Sequence, residues 1–240
     1  MLIVCAGTGT EVGKTWVGAQ VLTRLRAAGL TVCARKPAQS FDPETKTKTK
    51  AKTKTNTNAK TRTNTDTDTP TDADVLAAAT GESPSDVCPS HRSYPVAMAP
   101  PMAAAALGLA PPTIGELLTE LQLPDPTPEV CWVESVGGVR SPLAIDADTV
   151  EACRRLTPAL VVLVADAGLG TINLVRLSTA ALADHRVVVM LNHYDEAAPL
   201  HLANRDWLAV TDGYEVVTTV AELAALIEGQ VGGERPTNAE

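Results

Sequence analysis

Short apolar runs alternate with segments of helical hydrophobic spacing along most of the chain. The apolar runs are typical of strands buried on both faces of a parallel sheet, and they cover residues 2–6, 30–34, 129–134, 159–165, 186–191 and 214–217. Apolar residues at helical spacing cover residues 14–28, 74–79, 99–107, 114–121, 171–182, 199–210 and 220–227. This alternation predicts the α/β class, with a doubly wound and mostly parallel sheet between helical layers.

One segment breaks the alternation. Residues 45–71 carry Thr at every odd position except Ala51 and Ala59, and mainly Lys, then Asn, then Asp at the even positions. Both faces of such a strand would be polar, and low hydrophobicity with clustered charge predicts a solvated, disordered loop. We therefore expect one domain over residues 1–228, a disordered insertion at about 45–70 that costs little loop entropy, and a frayed tail at 229–240.

Composition narrows the class of protein further. The 240 residues are 45% hydrophobic and carry a net charge of −8, so the chain can bury a substantial core, and a nucleic-acid partner is not expected. No run approaches the 18 apolar residues of a membrane span, and the first apolar run does not have the pattern of a signal peptide. We expect a cytoplasmic protein without a membrane partner. The five cysteines lack the paired spacing of a zinc site or a disulfide framework.

Residues 7–15 read GTGTEVGKT and have the form of a phosphate-binding loop. They follow the first predicted strand and open the first predicted helix, which is the context that a P-loop requires. Backbone N–H groups and the helix N-terminus would hold the phosphates. Lys14 would reach the β- and γ-phosphates, and the Thr15 hydroxyl would bind Mg²⁺. The loop is one residue longer than the common form, because its first glycines are Gly7 and Gly9.

Five further segments follow this loop in a recognisable order. They read KPAQS at 36–40, DADVL at 72–76, YPVAMAP at 94–100, VESVGG at 133–138 and GLGTIN at 168–173. Together with the lengthened loop, they resemble the dethiobiotin synthetases of biotin biosynthesis, which are P-loop enzymes. The resemblance covers about residues 1–180.

The resemblance implies an ATP-dependent ring closure. CO₂ or bicarbonate would carboxylate one amine of 7,8-diaminononanoate, a small diamino acid. ATP would then phosphorylate this carbamate, and the second amine would close a cyclic urea. The resemblance also implies a homodimer, in which the GTIN element binds the substrate carboxylate across the subunit interface.

Roles for individual residues follow from the matched motifs. The expected catalytic residues are Lys14, Lys36 and Thr10, since positioned cations and donors would stabilise the charge on the transferring phosphoryl group. The expected ATP-binding residues are Gly9, Thr10, Glu11, Val12, Gly13, Lys14, Thr15 and Asn192. The expected substrate-binding residues are Lys36, Ser40, Gly137, Gly170, Thr171, Ile172 and Asn173.

Some of these assignments leave alternatives open. Magnesium would bind to Thr15, to Glu134 and to either Asp72 or Asp74, with Asp72 favoured by its spacing to Leu76. Asp72 would otherwise only cap the helix that follows, and Glu134 would be an ordinary carboxylate at a strand end. Asn204 competes with Asn192 as the residue that reads adenine, and Glu11 would serve only to orient Lys36 or Lys14.

The sequence departs from the family pattern on the substrate side. Phe41 and Ser135 replace glycines, Leu174 replaces a histidine, and Arg140-Ser141-Pro142 replaces an apolar pair. These positions bear on the substrate and not on the phosphate or metal ligands. One alternative is therefore a related P-loop ligase or kinase that acts on another carboxylate or carbamate. A second is a ParA/MinD-like ATPase switch, although Gly9 stands where those proteins carry a signature lysine.

Overall fold

The computed structural model describes residues 1–42 and 70–234, and ten strands lie in these two ranges. The strands are β1 (Leu2–Gly7), β2 (Val32–Arg35), β3 (Gln39–Ser40), β4 (Ser93–Tyr94), β5 (Val130–Glu134), β6 (Pro142–Ala144), β7 (Ala147–Asp148), β8 (Leu160–Asp166), β9 (Val187–Asn192) and β10 (Glu215–Val217). Six of them form the central sheet, in the order β10-β9-β8-β1-β5-β2, and all its pairs are parallel. The predicted α/β class is confirmed.

The α-helices of the described chain cover both faces of this sheet. They are α1 (Lys14–Ala27), α2 (Asp72–Thr80), α3 (Pro84–Val87), α4 (Pro100–Ala106), α5 (Ile114–Glu120), α6 (Thr149–Leu156), α7 (Thr171–Ala181), α8 (Pro199–Asp206) and α9 (Val220–Glu234). One core layer joins the sheet to α1, α2 and α9, and the other joins it to α6 and α7. Apolar residues on both faces of each central strand are therefore buried, as their continuous hydrophobic runs predict.

Two short strand pairs lie beside the main sheet and form part of the site described below. Parallel β3 and β4 bring Gln39 opposite Ser93, and antiparallel β6 and β7 form a small hairpin. A third core cluster packs Tyr94, Ile114 and Leu143 between these strands and the helices α4 and α5.

The second half of the chain differs from the sequence-based expectation in three places. The hairpin and α6 had not been predicted, because an eight-residue helix after two- and three-residue strands is too short to show a clear period. The helix predicted over 199–210 ends at Asp206 and continues as a π-helical turn, Trp207–Thr211.

The predicted last helix continues to Glu234 with Val231 buried, so the first part of the expected frayed tail is helical. Residues 235–240 and most of the predicted 45–70 insertion lie outside the described residues. All five cysteines are buried free thiols. In the described ranges, no helix has the length and apolar character needed to span a membrane.

Candidate nucleotide and metal site

The loop after β1 contains backbone conformations that few side chains tolerate. Gly13 has a φ of 90°, and a Cβ atom there would lie 2.1 Å from Nδ2 of Asn192. Glu11 also has a positive φ, of 59°. The N–H of Thr8 donates to the carbonyl of Val164 at 3.0 Å, which fixes the start of the loop on β8. Gly13 is thus required both by its conformation and by the close approach of Asn192.

Lys14, the first residue of α1, points back over the loop. Its Nζ donates to the carbonyls of Gly9 and Gly137, each at 3.0 Å. Burial lowers the pKa of the Lys14 ammonium, and the nearby Glu134 carboxylate opposes that shift. Carbonyl oxygens are weak partners for a buried ammonium compared with phosphate oxygens. Lys14 is therefore well placed to exchange these contacts for a nucleotide's phosphates.

Lys36 lies at the carboxyl edge of the sheet and pairs with two carboxylates. Strands β2 and β5 pair Arg35 with Val133, so the next residues of the two strands, Lys36 and Glu134, come side by side. Lys36 and Glu134 are only 2% and 0% exposed, and their side chains form an ion pair. Asp72 reaches the same ammonium, with Oδ2 2.8 Å from Nζ.

The charge of Lys36 is stabilised by these neighbours. Burial alone would lower its pKa, but the Glu134 and Asp72 carboxylates outweigh that effect and raise the pKa above its usual range. Burial likewise would raise the pKa of Asp72, yet the Lys36 ammonium holds it below its usual value. Lys36 is therefore a fixed cation and Asp72 a fixed anion at neutral pH.

The oxygen atoms around Lys36 fit a hard divalent cation. Thr15 Oγ1 donates to Glu134 Oε1 at 2.8 Å. The second carboxylate oxygen of Glu134 is buried and has no hydrogen-bond partner. Magnesium is bound in nucleotide sites by one or two carboxylates and phosphate oxygens, and Thr15, Asp72 and Glu134 supply that set of groups. Groups of three or more His, Cys, Asp or Glu side chains that could hold a metal without phosphate are absent from the described residues.

Asp74 has a different place from Asp72. Thr71 is the N-cap of α2, and its hydroxyl accepts from the Asp74 N–H while the Asp74 carboxylate accepts from the Thr71 N–H at 2.7 Å. The helix is therefore capped by Thr71 and Asp74, which leaves Asp72 free to point toward Lys36.

We expect the two aspartates to affect different properties: Asp72 metal binding and Asp74 stability. Asp72→Asn should weaken Mg²⁺ or Mn²⁺ binding in the presence of nucleotide by roughly 10-fold or more, because a charged ligand is lost. Asp74→Ala should instead lower the free energy of unfolding by about 1 kcal/mol through loss of half the capping box. Metal titration and denaturant unfolding of both variants separate the two roles, and a metal defect in the Asp74 variant alone would reverse the assignment.

A cleft of about 730 Å³ opens beside the loop, and its wall contains eight of the residues expected to act in catalysis or to bind substrate or metal. Those residues are Thr10, Lys14, Thr15, Lys36, Ser40, Asp72, Glu134 and Gly137. The Ser40 hydroxyl donates to the carbonyl of Met98 at 2.6 Å. Phe41, Ser135, Ser141 and Pro142 also line the cleft, so these departures from the family pattern face the space where a substrate would lie.

One group of predicted residues lies away from the cleft wall, and one predicted role is not supported by the geometry. Residues 170–173 start α7 after the exposed Leu169, which is 91% accessible, and they do not line the cleft. Glu11 is exposed, and the partners of Lys14 and Lys36 are other groups, so the geometry does not support Glu11 as the residue that orients either lysine.

The two candidate asparagines have different neighbours. Asn192, at the end of β9, is buried and donates through Nδ2 to the carbonyl of Val12 at 3.0 Å. Asn204 donates to the carbonyls of Ala167 and Gly168, each at 2.9 Å, and so holds the turn before α7. Asn192 adjoins the phosphate loop and Asn204 does not, which favours Asn192 as the nucleotide contact.

A glycine-rich loop that joins a buried parallel strand to a helix, and ends in Gly13, Lys14 and Thr15, defines a P-loop NTPase. A family model described as an AAA domain (AAA_26) matches residues 2–230. Proteins named ATP-dependent dethiobiotin synthetase BioD are also similar over most of the chain. The chain belongs to the AAA_26 family and, within the P-loop NTPases, to the dethiobiotin synthetase family.

Three of these relatives show the extent of the match. The protein of Rhodococcus jostii (strain RHA1) is 29% identical over 91% of this chain and 85% of its own. The protein of Xanthomonas campestris pv. campestris (strain B100) is 32% identical over 74% of this chain and 70% of its own. The protein of Mycobacterium sp. (strain JLS) is 28% identical over 100% of this chain and 92% of its own. Among solved structures, the signal recognition particle receptor FtsY from Elizabethkingia anophelis is similar at 13% identity. The match covers 96% of this chain and 65% of the FtsY chain. Its TM-score of 0.47 is too low to support a functional argument.

Proposed function

We propose that the protein is an ATP-dependent dethiobiotin synthetase that closes the ureido ring of 7,8-diaminononanoate. The relatives named for that activity match most of the chain. The observation that carries the proposal is the group formed by Lys36, Asp72 and Glu134 beside the phosphate loop. It would put a fixed cation and two candidate metal ligands beside the phosphates of a nucleotide bound at the loop, at the wall of the cleft.

The reaction would proceed in three bond-forming steps. One amine of the substrate adds to CO₂ and loses a proton, which gives a carbamate. A carbamate oxygen then attacks the γ-phosphorus of ATP, and ADP leaves. The second amine attacks the carbamate carbon and loses a proton, and phosphate leaves as the ring closes. Phosphorylation is needed because a carbamate oxygen is a poor leaving group and phosphate is a good one.

The chain's own groups suit the phosphoryl transfer step. Lys14 and the loop backbone would hold the β- and γ-phosphates, and Asn192 would contact the adenine. Lys36 would lie between the γ-phosphate and the carbamate and offset the repulsion of two anions, while Thr10 and Ser40 would donate hydrogen bonds to the substrate. Thr15, Asp72 and Glu134 would hold magnesium, which would supply further positive charge at the phosphate oxygens.

The substrate carboxylate would be bound by a second copy of the chain. Residues 170–173 form a helix N-terminus, which favours anions, and the Thr171 hydroxyl is buried without a hydrogen-bond partner. Leu169, Leu174 and Leu177 are exposed around it. An exposed apolar group beside a helix N-terminus that does not line the chain's own cleft supports a homodimer in which each copy completes its partner's site.

The proposal is tested by incubating purified protein with diaminononanoate, bicarbonate, Mg²⁺ and ATP. We expect dethiobiotin and phosphate to form in equal amounts. Phosphate release without dethiobiotin would refute this function. It would favour a related P-loop ligase or kinase for another carboxylate or carbamate, the alternative that Phe41 in the cleft wall supports.

Removing residues 45–69 should leave turnover within about two-fold of the full chain. The two ends of this segment are joined independently of it, since the Gln39 side chain accepts from the Ala73 N–H at 3.0 Å and the Phe41 N–H donates to the Tyr94 carbonyl at 3.0 Å. Loop length itself changes closure entropy little. Steady-state kcat and KM for ATP and diaminononanoate measure the effect, and a large loss would show that the segment positions Asp72.

A further inference from the structure

The side chain of Gln39 connects three segments at the edge of the candidate site. Its Nε2 donates to the Ser93 hydroxyl at 2.9 Å, and its Oε1 accepts from the backbone N–H of Ala73 at 3.0 Å. Gln39 is only 5% exposed. Because Ala73 can only donate here, the carbonyl end of the amide must face α2 and the NH₂ end must face Ser93.

The bond to Ala73 acts on the first turn of α2. The first N–H groups of a helix have no partner within the helix. Thr71 satisfies the N–H of Asp74, and Gln39 satisfies that of Ala73 from a distant part of the chain. Asp72 lies between Thr71 and Ala73, and its carboxylate oxygen Oδ2 is 2.8 Å from Nζ of Lys36. Gln39 therefore fixes the backbone on one side of Asp72 and Thr71 fixes it on the other.

The same segment also carries Lys36. Lys36 and Gln39 are three residues apart, and the Lys36 N–H donates to the Val87 carbonyl at 2.7 Å. Movement of α2 relative to this segment would change the distance between Asp72 and Lys36. A side chain that ties the segment to α2 holds that distance constant.

We propose that Gln39 is a positioning residue that holds Asp72 in the metal site through the Ala73 amide, and that it needs a hydrogen bond at both ends of its side chain to do so. The inference rests on the proposed function, because it takes Asp72 as a metal ligand. Gln39 lines the cleft, but its oxygen and its nitrogen are each engaged within the protein. Its effect should consequently appear in metal affinity and not in the KM for the diamine.

The test measures Mn²⁺ binding by electron paramagnetic resonance in the presence of a non-hydrolysable ATP analogue. Gln39→Met keeps the size of the side chain but removes both hydrogen bonds, and it should weaken Mn²⁺ binding by about 10-fold, the usual effect of losing a partner of a metal ligand. Gln39→Glu keeps an acceptor for Ala73 and an oxygen to which the Ser93 hydroxyl can donate, so it should stay within about 3-fold of the natural protein. Affinity for the analogue without metal should not change in either variant.

Thr80→Val is the matched control. It removes hydrogen bonds from the Thr80 hydroxyl to the carbonyls of Leu76 and Ala77 at the other end of the same helix. It should lower the unfolding temperature without changing Mn²⁺ affinity. If Gln39→Met does not fold, Ser93→Ala removes only the second anchor and should still weaken Mn²⁺ binding measurably.

Each outcome decides between separate conclusions. Natural-type Mn²⁺ affinity in folded Gln39→Met, or in Ser93→Ala when only that variant folds, would overturn the positioning role and leave the proposed function intact. Equal losses in Gln39→Met and Thr80→Val would also overturn it, since general destabilisation of α2 would then explain both. Failure of the unmodified protein to bind Mn²⁺ with nucleotide would refute the metal site itself, and the proposed function would fail together with the inference.

Discussion

Lys36→Ala should reduce dethiobiotin formation by roughly 10²- to 10³-fold while ATP affinity changes little, which is the scale seen when one charge-stabilising group is removed from a transition state. Lys36 is held at the cleft wall by Glu134 and Asp72, whereas the nucleotide would be held by Lys14 and the loop backbone. Turnover measured by product formation, and the dissociation constant of a non-hydrolysable ATP analogue measured by calorimetry, separate these two contributions.

Two further variants make this result decisive. Lys14→Ala should lose ATP affinity, so a loss of similar size in Lys36→Ala would refute the division of roles. Lys36→Ala also removes the ion-pair partner of the buried Glu134 carboxylate, and breaking a buried pair in this way destabilises a protein by about 3–5 kcal/mol in comparable cases. Lys36→Gln retains a hydrogen-bond donor toward Glu134 and should show the same loss of turnover with a smaller loss of stability.

The sequence predicts these residues individually better than it predicts their contacts. Lys36 and Glu134 each follow or end an apolar run, and the carboxyl ends of parallel strands meet at one edge. Their direct pairing depends on β2 lying next to β5, although 94 residues separate the two strands. The order of the strands in the sheet depends on packing between distant segments of the chain, so no local sequence pattern predicts it.

Asp72 is a second residue whose contacts the sequence does not predict. Its spacing suggests a helix N-terminus, and a cap or a metal ligand fits that position equally well. The structure separates the two because Thr71 and Asp74 complete the capping box and the Asp72 carboxylate lies against Lys36. The bond from Gln39 that fixes this arrangement crosses 34 positions of the chain. A single polar residue in a loop motif gives no signal of such a contact.

Residues 170–173 were expected to bind substrate but lie away from the cleft of their own chain. The motif and its helix are where the sequence predicts them, with α7 starting at Thr171. A site shared between two copies cannot be assembled from one chain. The predicted substrate contact of residues 170–173 therefore agrees with their position outside the cleft only if they complete the cleft of a partner chain.

Glu134→Gln should have the second large effect, on both metal binding and stability. The substitution keeps the shape of the side chain but removes the charge next to Lys36 and replaces an oxygen that has no hydrogen-bond partner. We expect Mn²⁺ affinity with nucleotide to fall by roughly 10- to 100-fold. The free energy of unfolding should fall by about 3 kcal/mol, because a buried ammonium loses a charged partner.

The pH dependence of this stability difference follows from Lys36. The carboxylates raise the pKa of Lys36 in the folded protein above its unfolded value of about 10.4. A raised folded pKa contributes stability that is complete below the unfolded value and is lost as the pH rises through the folded value. The difference between the natural protein and Glu134→Gln should therefore stay constant from about pH 6 to 9 and shrink only above about pH 10.

Glu151→Gln is the control, since Glu151 pairs with Arg155 one turn away on the surface of α6. An exposed pair of this kind contributes about 0.5 kcal/mol or less and does not touch the site. A Glu134 variant that lost stability but kept Mn²⁺ affinity would show that Glu134 serves only to hold Lys36. In that case the metal would be bound by Thr15, Asp72 and the phosphates. The only role of Glu134 would be to hold the Lys36 side chain in position.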